Sequence, residues 1–217
     1  MEERFDYRLK FSKKGRAVYI SHLDLMRTMQ RAFKRAGLPI WYTQGFNPHA
    51  YIMFPLALSL GVVGECEVMD VALTKKISFD EVKSSLNEAL PTGLEIVSVK
   101  EPVNEHKSIV KSEYEIVMSG DMERSDFEKF IEREKIEVKK LTKKKKEKII
   151  DLKPYTEISE LRDASCGIYI KVLLPSGCET NINPSVLLDA FADFSGADIQ
   201  PKIRRTKILM ANGEEFC

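Results

Sequence analysis

Residues 5–37 read FDYRLKFSKKGRAVYISHLDLMRTMQRAFKRAG, a strand followed by a helix, and the rest of the chain is best read outward from them. Phe5, Tyr7, Leu9 and Phe11 alternate with Asp6, Arg8, Lys10 and Ser12. That period of two predicts a half-buried strand with one apolar face and one mainly basic face. Ala17 to Ile20 is a second short apolar run. Ser21 and Asp24 then form an S-x-x-D helix start, and Gly37 with Pro39 beyond it marks the stop. Within the helix, Leu25, Met29, Ala32, Phe33 and Ala36 share one side. Arg27, Arg31, Lys34 and Arg35 share another, so one face packs and one is positive.

Ile40 to Thr43, Tyr51 to Leu60 and Glu67 to Leu73 are strand-like, with the loop Gln44-Gly45-Phe46-Asn47-Pro48-His49 between the first two. Ser78 with Glu81 opens a helix to about Leu90, and Leu94 to Val99 is the next strand. Residues 1–103 thus read β-α-β-β-α-β with one extra short strand, the order of a ferredoxin-like unit. Glu101 to Ser108 reads as a linker. Residues 109–217 repeat the order with an extra strand. Glu113 to Met118 is a strand, Ser125 with Glu128 opens a helix, and strands follow at Ile136 to Leu141, Lys148 to Ile158 and Ile168 to Leu174. Asn183-Pro184 opens a last helix, Ile199 to Met210 closes the sheet, and the tail from Ala211 reads as frayed. The expected fold class is α+β, two ferredoxin-like halves with antiparallel sheets.

The 217 residues are 43% apolar and 31% charged, an ordinary globular balance. No apolar run approaches the roughly 20 residues that cross a bilayer, and the start MEERFDYRLK is no signal peptide, so a cytoplasmic protein without membrane contact is expected. Cys66, Cys166, Cys178 and Cys217 show no C-x-x-C or Cys/His spacing, so no metal site, iron–sulfur cluster or other cofactor is expected. Net charge is only +1, yet residues 1–50 hold ten Lys or Arg against four Asp or Glu. The excess is local, and a local anionic partner accounts for it.

The stretch from Tyr7 to Val62, with its SHLDLMR, RAGLP and QGFNPH segments, resembles a bacterial domain of unknown function, the radical-SAM-linked proteins. There a similar YRLRFSK-G-x-ARFLSHLDLMR precedes RRAGLP and YSQGFNPHP. Asp151 to Tyr155, DLKPY, is similar to the family's I-D-x-R-P-Y segment. Ala50 and Tyr51 stand where the family has proline and then a basic residue. Members occur beside a radical-SAM protein or fused to one. The resemblance therefore implies an accessory module with a radical-SAM enzyme as partner.

Four groups of residues are candidates for function. Lys13, Lys14 and Arg16 with Arg27, Arg31, Lys34 and Arg35 suit phosphate neutralisation, with a solvated helix face as the plain alternative. The helix start at Ser21-His22 adds free backbone donors. His22 and His49 are the proton-exchanging pair that a metal-free RNA endonuclease would need, and a helix-terminus histidine is the plain alternative. Gly45, Phe46, Asn47, Pro48 and His49 form a recognition loop whose aromatic neighbours suit base stacking. Trp41 or Tyr42, whichever faces inward, would fill the core, and Phe46 would be exposed. Lys139 to Lys148 holds seven lysines and one acid; it reads as a hairpin turn or a second RNA contact. The expected function is a non-catalytic RNA-associated module, binding tRNA or rRNA or the radical-SAM enzyme itself. A ribonuclease and a protein-interaction scaffold are the rivals.

Overall fold

The computed structural model describes residues 3–141, 147–177 and 180–217. Cys178 and the middle of the lysine run, residues 142–146, lie outside them. The chain is mixed α+β, with four α-helices among the described residues and largely antiparallel strands. None of the helices is long and apolar enough to cross a membrane. The chain divides into two units, one of residues up to Ile109 together with Met210–Cys217, the other Val110–Leu209.

The first unit contains β1 (Phe5–Lys13), α1 (His22–Arg35), β2 (Ile52–Met53), β3 (Val63–Leu73), α2 (Phe79–Ala89) and β4 (Leu94–Lys100). Its strands run in the order β4-β1-β3, with β2 also on β3, all antiparallel. Tyr7, Leu9 and Phe11 of β1 meet Leu25, Met29, Ala32 and Phe33 of α1 and Val82 and Leu86 of α2 in one core. The period-2 and period-3.6 apolar positions are thus the ones that pack together. Alternation fails at the end of β1. A register shift between Phe11 and Lys13 against β3 marks a bulge, and Ser12 and Lys13 are both buried.

The ends of α1 are as the spacing predicts. Ser21 Oγ accepts from Asp24 N–H at 3.1 Å and donates to the Asp24 carboxylate at 2.7 Å. At the other end Gly37 sits at φ +68°, where only glycine is unstrained. There Leu38 N–H reaches Phe33 O and Gly37 N–H reaches Lys34 O, the paired bonds of a Schellman stop. Ser21→Ala is expected to cost about 1 kcal/mol in a urea melt, the usual worth of such a cap. A loss near zero would mean that water replaces the hydroxyl without penalty.

Several expected strands differ. The short apolar run Ala17 to Ile20 falls in and just after a 3-10 helix, Gly15–Tyr19. Lys14 N–H bonds Gly93 O at 2.8 Å, one step beyond the Lys13–Leu94 pair of β1 and β4, and Gly15 at φ +55° then turns the chain into the 3-10 helix. Ile40 to Thr43 makes only single bridges, Ile40 to Leu73 and Tyr42 to Ala50. The run Tyr51 to Leu60 keeps just two paired residues, because Pro55 has no N–H to donate to a ladder.

The second unit contains β5 (Ile109–Ser119), α3 (Arg124–Glu132), β6 (Glu137–Leu141), β7 (Glu147–Asp151), β8 (Glu157–Ala164), β9 (Gly167–Pro175), α4 (Pro184–Ser195) and β10 (Gln200–Met210). Strand order is β10-β5-β9-β8, with β6 and β7 as a separate hairpin. Phe127, Phe130 and Phe191 centre its core. The run Lys148 to Ile158 is two strands, broken at Lys153-Pro154-Tyr155 by a 3-10 turn. Asp151 Oδ1 accepts from Ile136 N–H at 2.9 Å and Lys153 N–H at 3.0 Å, and these donors hold its carboxyl below its ordinary value. The helix α3 begins from Glu123 with Asp126 rather than from Ser125 with Glu128; Asp126 accepts from Glu123 N–H at 3.1 Å.

The chain end is not frayed. Phe216 is buried in the first unit with the Arg8 guanidinium 4.2 Å from its ring centre, and Glu215 pairs with Lys10 at 3.1 Å.

Candidate nucleic-acid interface

The loop after α1 forms a hairpin. Thr43 N–H donates to His49 O at 2.9 Å, Tyr51 N–H to Trp41 O at 2.9 Å, and His49 N–H to Thr43 Oγ1 at 3.2 Å. Gly45 to Pro48 is its exposed tip, with Gly45 at φ +143° and Phe46 wholly in solvent. Trp41 N–H bonds Ala72 O at 2.8 Å, which ties the base of the hairpin to β3. Trp41 is half-buried and meets Tyr51 edge-on at 6.1 Å, and Arg4 lies over both rings. Tyr42 points the other way and is half exposed.

Between this hairpin and α1 lies an open groove of about 600 Å³. Arg31 and Lys34 line it from the helix, Tyr42 and His49 from the hairpin, and Leu38, Pro39 and Ile40 form its apolar floor. Neither Arg31 nor Lys34 is in an ion pair among the described residues, so both charges are available to a ligand. The groove therefore combines two cations, an aromatic ring and an imidazole within one nucleotide-sized space.

Helix spacing places Arg27, Arg31, Lys34 and Arg35 on one stripe, and the structure divides them. Arg27 Nη1 is 3.2 Å from the Asp24 carboxylate. Both side chains are largely exposed, so the pair is worth little and Arg27 can still turn to a ligand. Arg35 Nη2 donates to Ala89 O at 2.6 Å, at the end of α2, and is committed there. Only Arg31 and Lys34 reach the groove. Lys14 and Arg16 are exposed around the 3-10 helix, with Lys14 only 3.9 Å from Glu65.

Lys13 departs from its expected surface role. The bulge turns it inward, its ammonium donates to Ile20 O at 3.1 Å, and burial lowers its pKa. It fastens the 3-10 helix to β1 and offers no cation to solvent. His22 and His49 are also separated in role. The His22 ring packs edge-on against Phe54 at 5.2 Å and is not among the groove residues, whereas His49 is.

Sequence reasoning missed Gln30 and the apolar floor, and left open which of Trp41 and Tyr42 faces inward. The signal for Tyr42 was its alternation with Trp41 across the hairpin, which sends the two rings to opposite sides. The cysteines Cys66, Cys166 and Cys217 are free thiols, and no cluster of three or more metal-ligating side chains occurs among the described residues.

Fold and groove together define a mixed α+β protein with a cationic surface groove beside a hairpin loop. The chain belongs to a family of uncharacterized proteins conserved in bacteria (DUF2344), whose model matches residues 6–184. No curated protein matches it. Among solved structures it is similar to the crystal structure of an unknown protein from Galdieria sulphuraria, at 13% identity over 94% of this chain and 99% of that one, with a TM-score of 0.28.

Proposed function

We propose that this protein is a non-catalytic RNA-binding module that presents tRNA or rRNA to a partner radical-SAM enzyme. The observation that carries the RNA reading is the groove in which Arg31 and Lys34, without ion pairs among the described residues, lie beside Tyr42 and His49. Phosphates neutralise the cations and a base stacks on the tyrosine. Arg27, Lys14 and Arg16 add outer phosphate contacts, and the tip Gly45 to Pro48, with Phe46 in solvent, extends the stacking surface. The radical-SAM partner rests on the resemblance of the Tyr7 to Val62 stretch. Each unit is read as ferredoxin-like; the orders β4-β1-β3 with β2 on β3, and β10-β5-β9-β8, support that reading, the β6-β7 hairpin being an insertion.

Direct binding to total tRNA and to rRNA fragments at two salt concentrations tests the proposal. Arg31→Glu with Lys34→Glu is expected to weaken binding at least about tenfold and to flatten the salt dependence by about 0.7 for each lost single-strand phosphate contact. Arg35→Glu should do less, since its guanidinium is held on Ala89 O. Unchanged affinity in the double variant sinks the groove as the site. No binding at low salt turns the groove toward an acidic protein, and a pull-down with the radical-SAM enzyme then decides.

A further inference from the structure

We infer that His49 makes the groove selective for RNA over DNA, its Nε2 accepting a hydrogen bond from a ribose 2′-hydroxyl. This rests on the reading of the groove as a nucleic-acid site. The tautomer of His49 follows from its neighbours. Its Nδ1 lies 3.1 Å from Asn47 O and 3.1 Å from Thr43 Oγ1. A backbone carbonyl can only accept, so the proton of the neutral ring sits on Nδ1. Nε2 is left with its lone pair, on the ring edge turned away from the loop bonds.

That acceptor is unlike its charged neighbours. Arg31 and Lys34 can only donate, and their charge suits phosphate oxygens best. The 2′-hydroxyl is the group next to the phosphates that RNA has and DNA lacks, and its O–H can donate only to an acceptor, which the two cations are not. The ring is also held in place. His49 N–H bonds Thr43 Oγ1 at 3.2 Å, and Thr43 N–H bonds His49 O at 2.9 Å, so the acceptor is oriented before any ligand arrives.

The experiment uses the full chain and three single-stranded 12-mers of one sequence, as RNA, as DNA and as 2′-O-methyl RNA, read by fluorescence anisotropy. RNA is expected to bind roughly five- to tenfold more tightly than either of the others, the worth of one hydrogen bond. The methylated strand keeps the RNA sugar but loses the donor, so it separates hydrogen bonding from helix shape. His49→Asn retains an N–H where Nδ1 stood and removes the acceptor at the Nε2 position, its amide oxygen lying closer to the backbone; His49→Ala removes both groups. In each variant the RNA:DNA ratio should fall to about one. Equal wild-type binding of RNA and DNA, both lost in Arg31→Glu with Lys34→Glu, overturns the role of His49 and leaves the groove standing. A preference for RNA that survives in His49→Asn and His49→Ala overturns it too. Binding of none of the three strands removes the groove reading itself, and this inference with it.

Discussion

Asp70→Ala is expected to lower stability by about 3–5 kcal/mol, the usual cost of stripping one partner from a buried ion pair. Arg8 Nε meets Asp70 Oδ1 at 2.7 Å and Nη2 meets Oδ2 at 2.8 Å, a two-point contact between side chains that are 2% and 10% exposed. Phe216 covers the guanidinium, and Nη1 has no hydrogen-bond partner among the described residues. Without Asp70 the cation stays in the interior with nothing to offset its lost hydration. Guanidinium-chloride unfolding of Asp70→Ala beside the double variant Arg8→Met with Asp70→Leu checks this. The double variant removes both charges and should recover most of the loss, because two apolar side chains of similar volume need no solvation. A loss below about 1 kcal/mol in Asp70→Ala would show that Arg8 escapes to water when released.

Phe191→Ala is expected to cost about 3–5 kcal/mol, and Phe46→Ala less than about 0.5 kcal/mol. Phe191 is wholly buried and touches Phe127 edge-on at 4.9 Å and Phe130 at 5.4 Å, so truncation leaves a cavity that its neighbours cannot all fill. Phe46, fully exposed at the hairpin tip, has no packing to lose. Circular dichroism follows the unfolding of both units, and fluorescence of Trp41, the single tryptophan, follows the first unit alone. Equal losses from the two substitutions would mean that the Phe127, Phe130 and Phe191 cluster is not the core of the second unit. The same pair also bears on function: Phe46→Ala should weaken RNA binding at least about fivefold without changing the melt, because stacking on an aromatic ring contributes about 1–3 kcal/mol per base.

Much of the local structure was legible because it follows from neighbours in the chain. Ser21 with Asp24, Gly37 after Ala36 and Asn183 before Pro184 mark helix ends through bonds that span two to five residues. The apolar alternation of Phe5 to Phe11 and the stripe from Leu25 to Phe33 identified the faces that meet in the first core. Where those readings failed, a long-range partner decided. Lys13 reads as one more surface cation, and the bulge in β1 buries it. The basic stripe of α1 was visible from spacing alone, yet its division was not. Asp24 and Ala89 claim Arg27 and Arg35, and one of these two partners lies on another helix.

By itself, then, the sequence determined the class of fold, the four α-helices, the excess of positive charge in the first 50 residues and the family to which the chain belongs. These depend on periodicity, capping and motif order, all of which are local. Tertiary structure alone decided that Arg8 is buried with Asp70 under Phe216, that the last residues close onto the first unit, and that Arg31 and Lys34 share a groove with Tyr42 and His49. The physical reason is separation along the chain: the carboxylate that compensates the lost water of Arg8, and the hairpin that faces Arg31 and Lys34, are brought to them by the fold from residues that no local pattern connects.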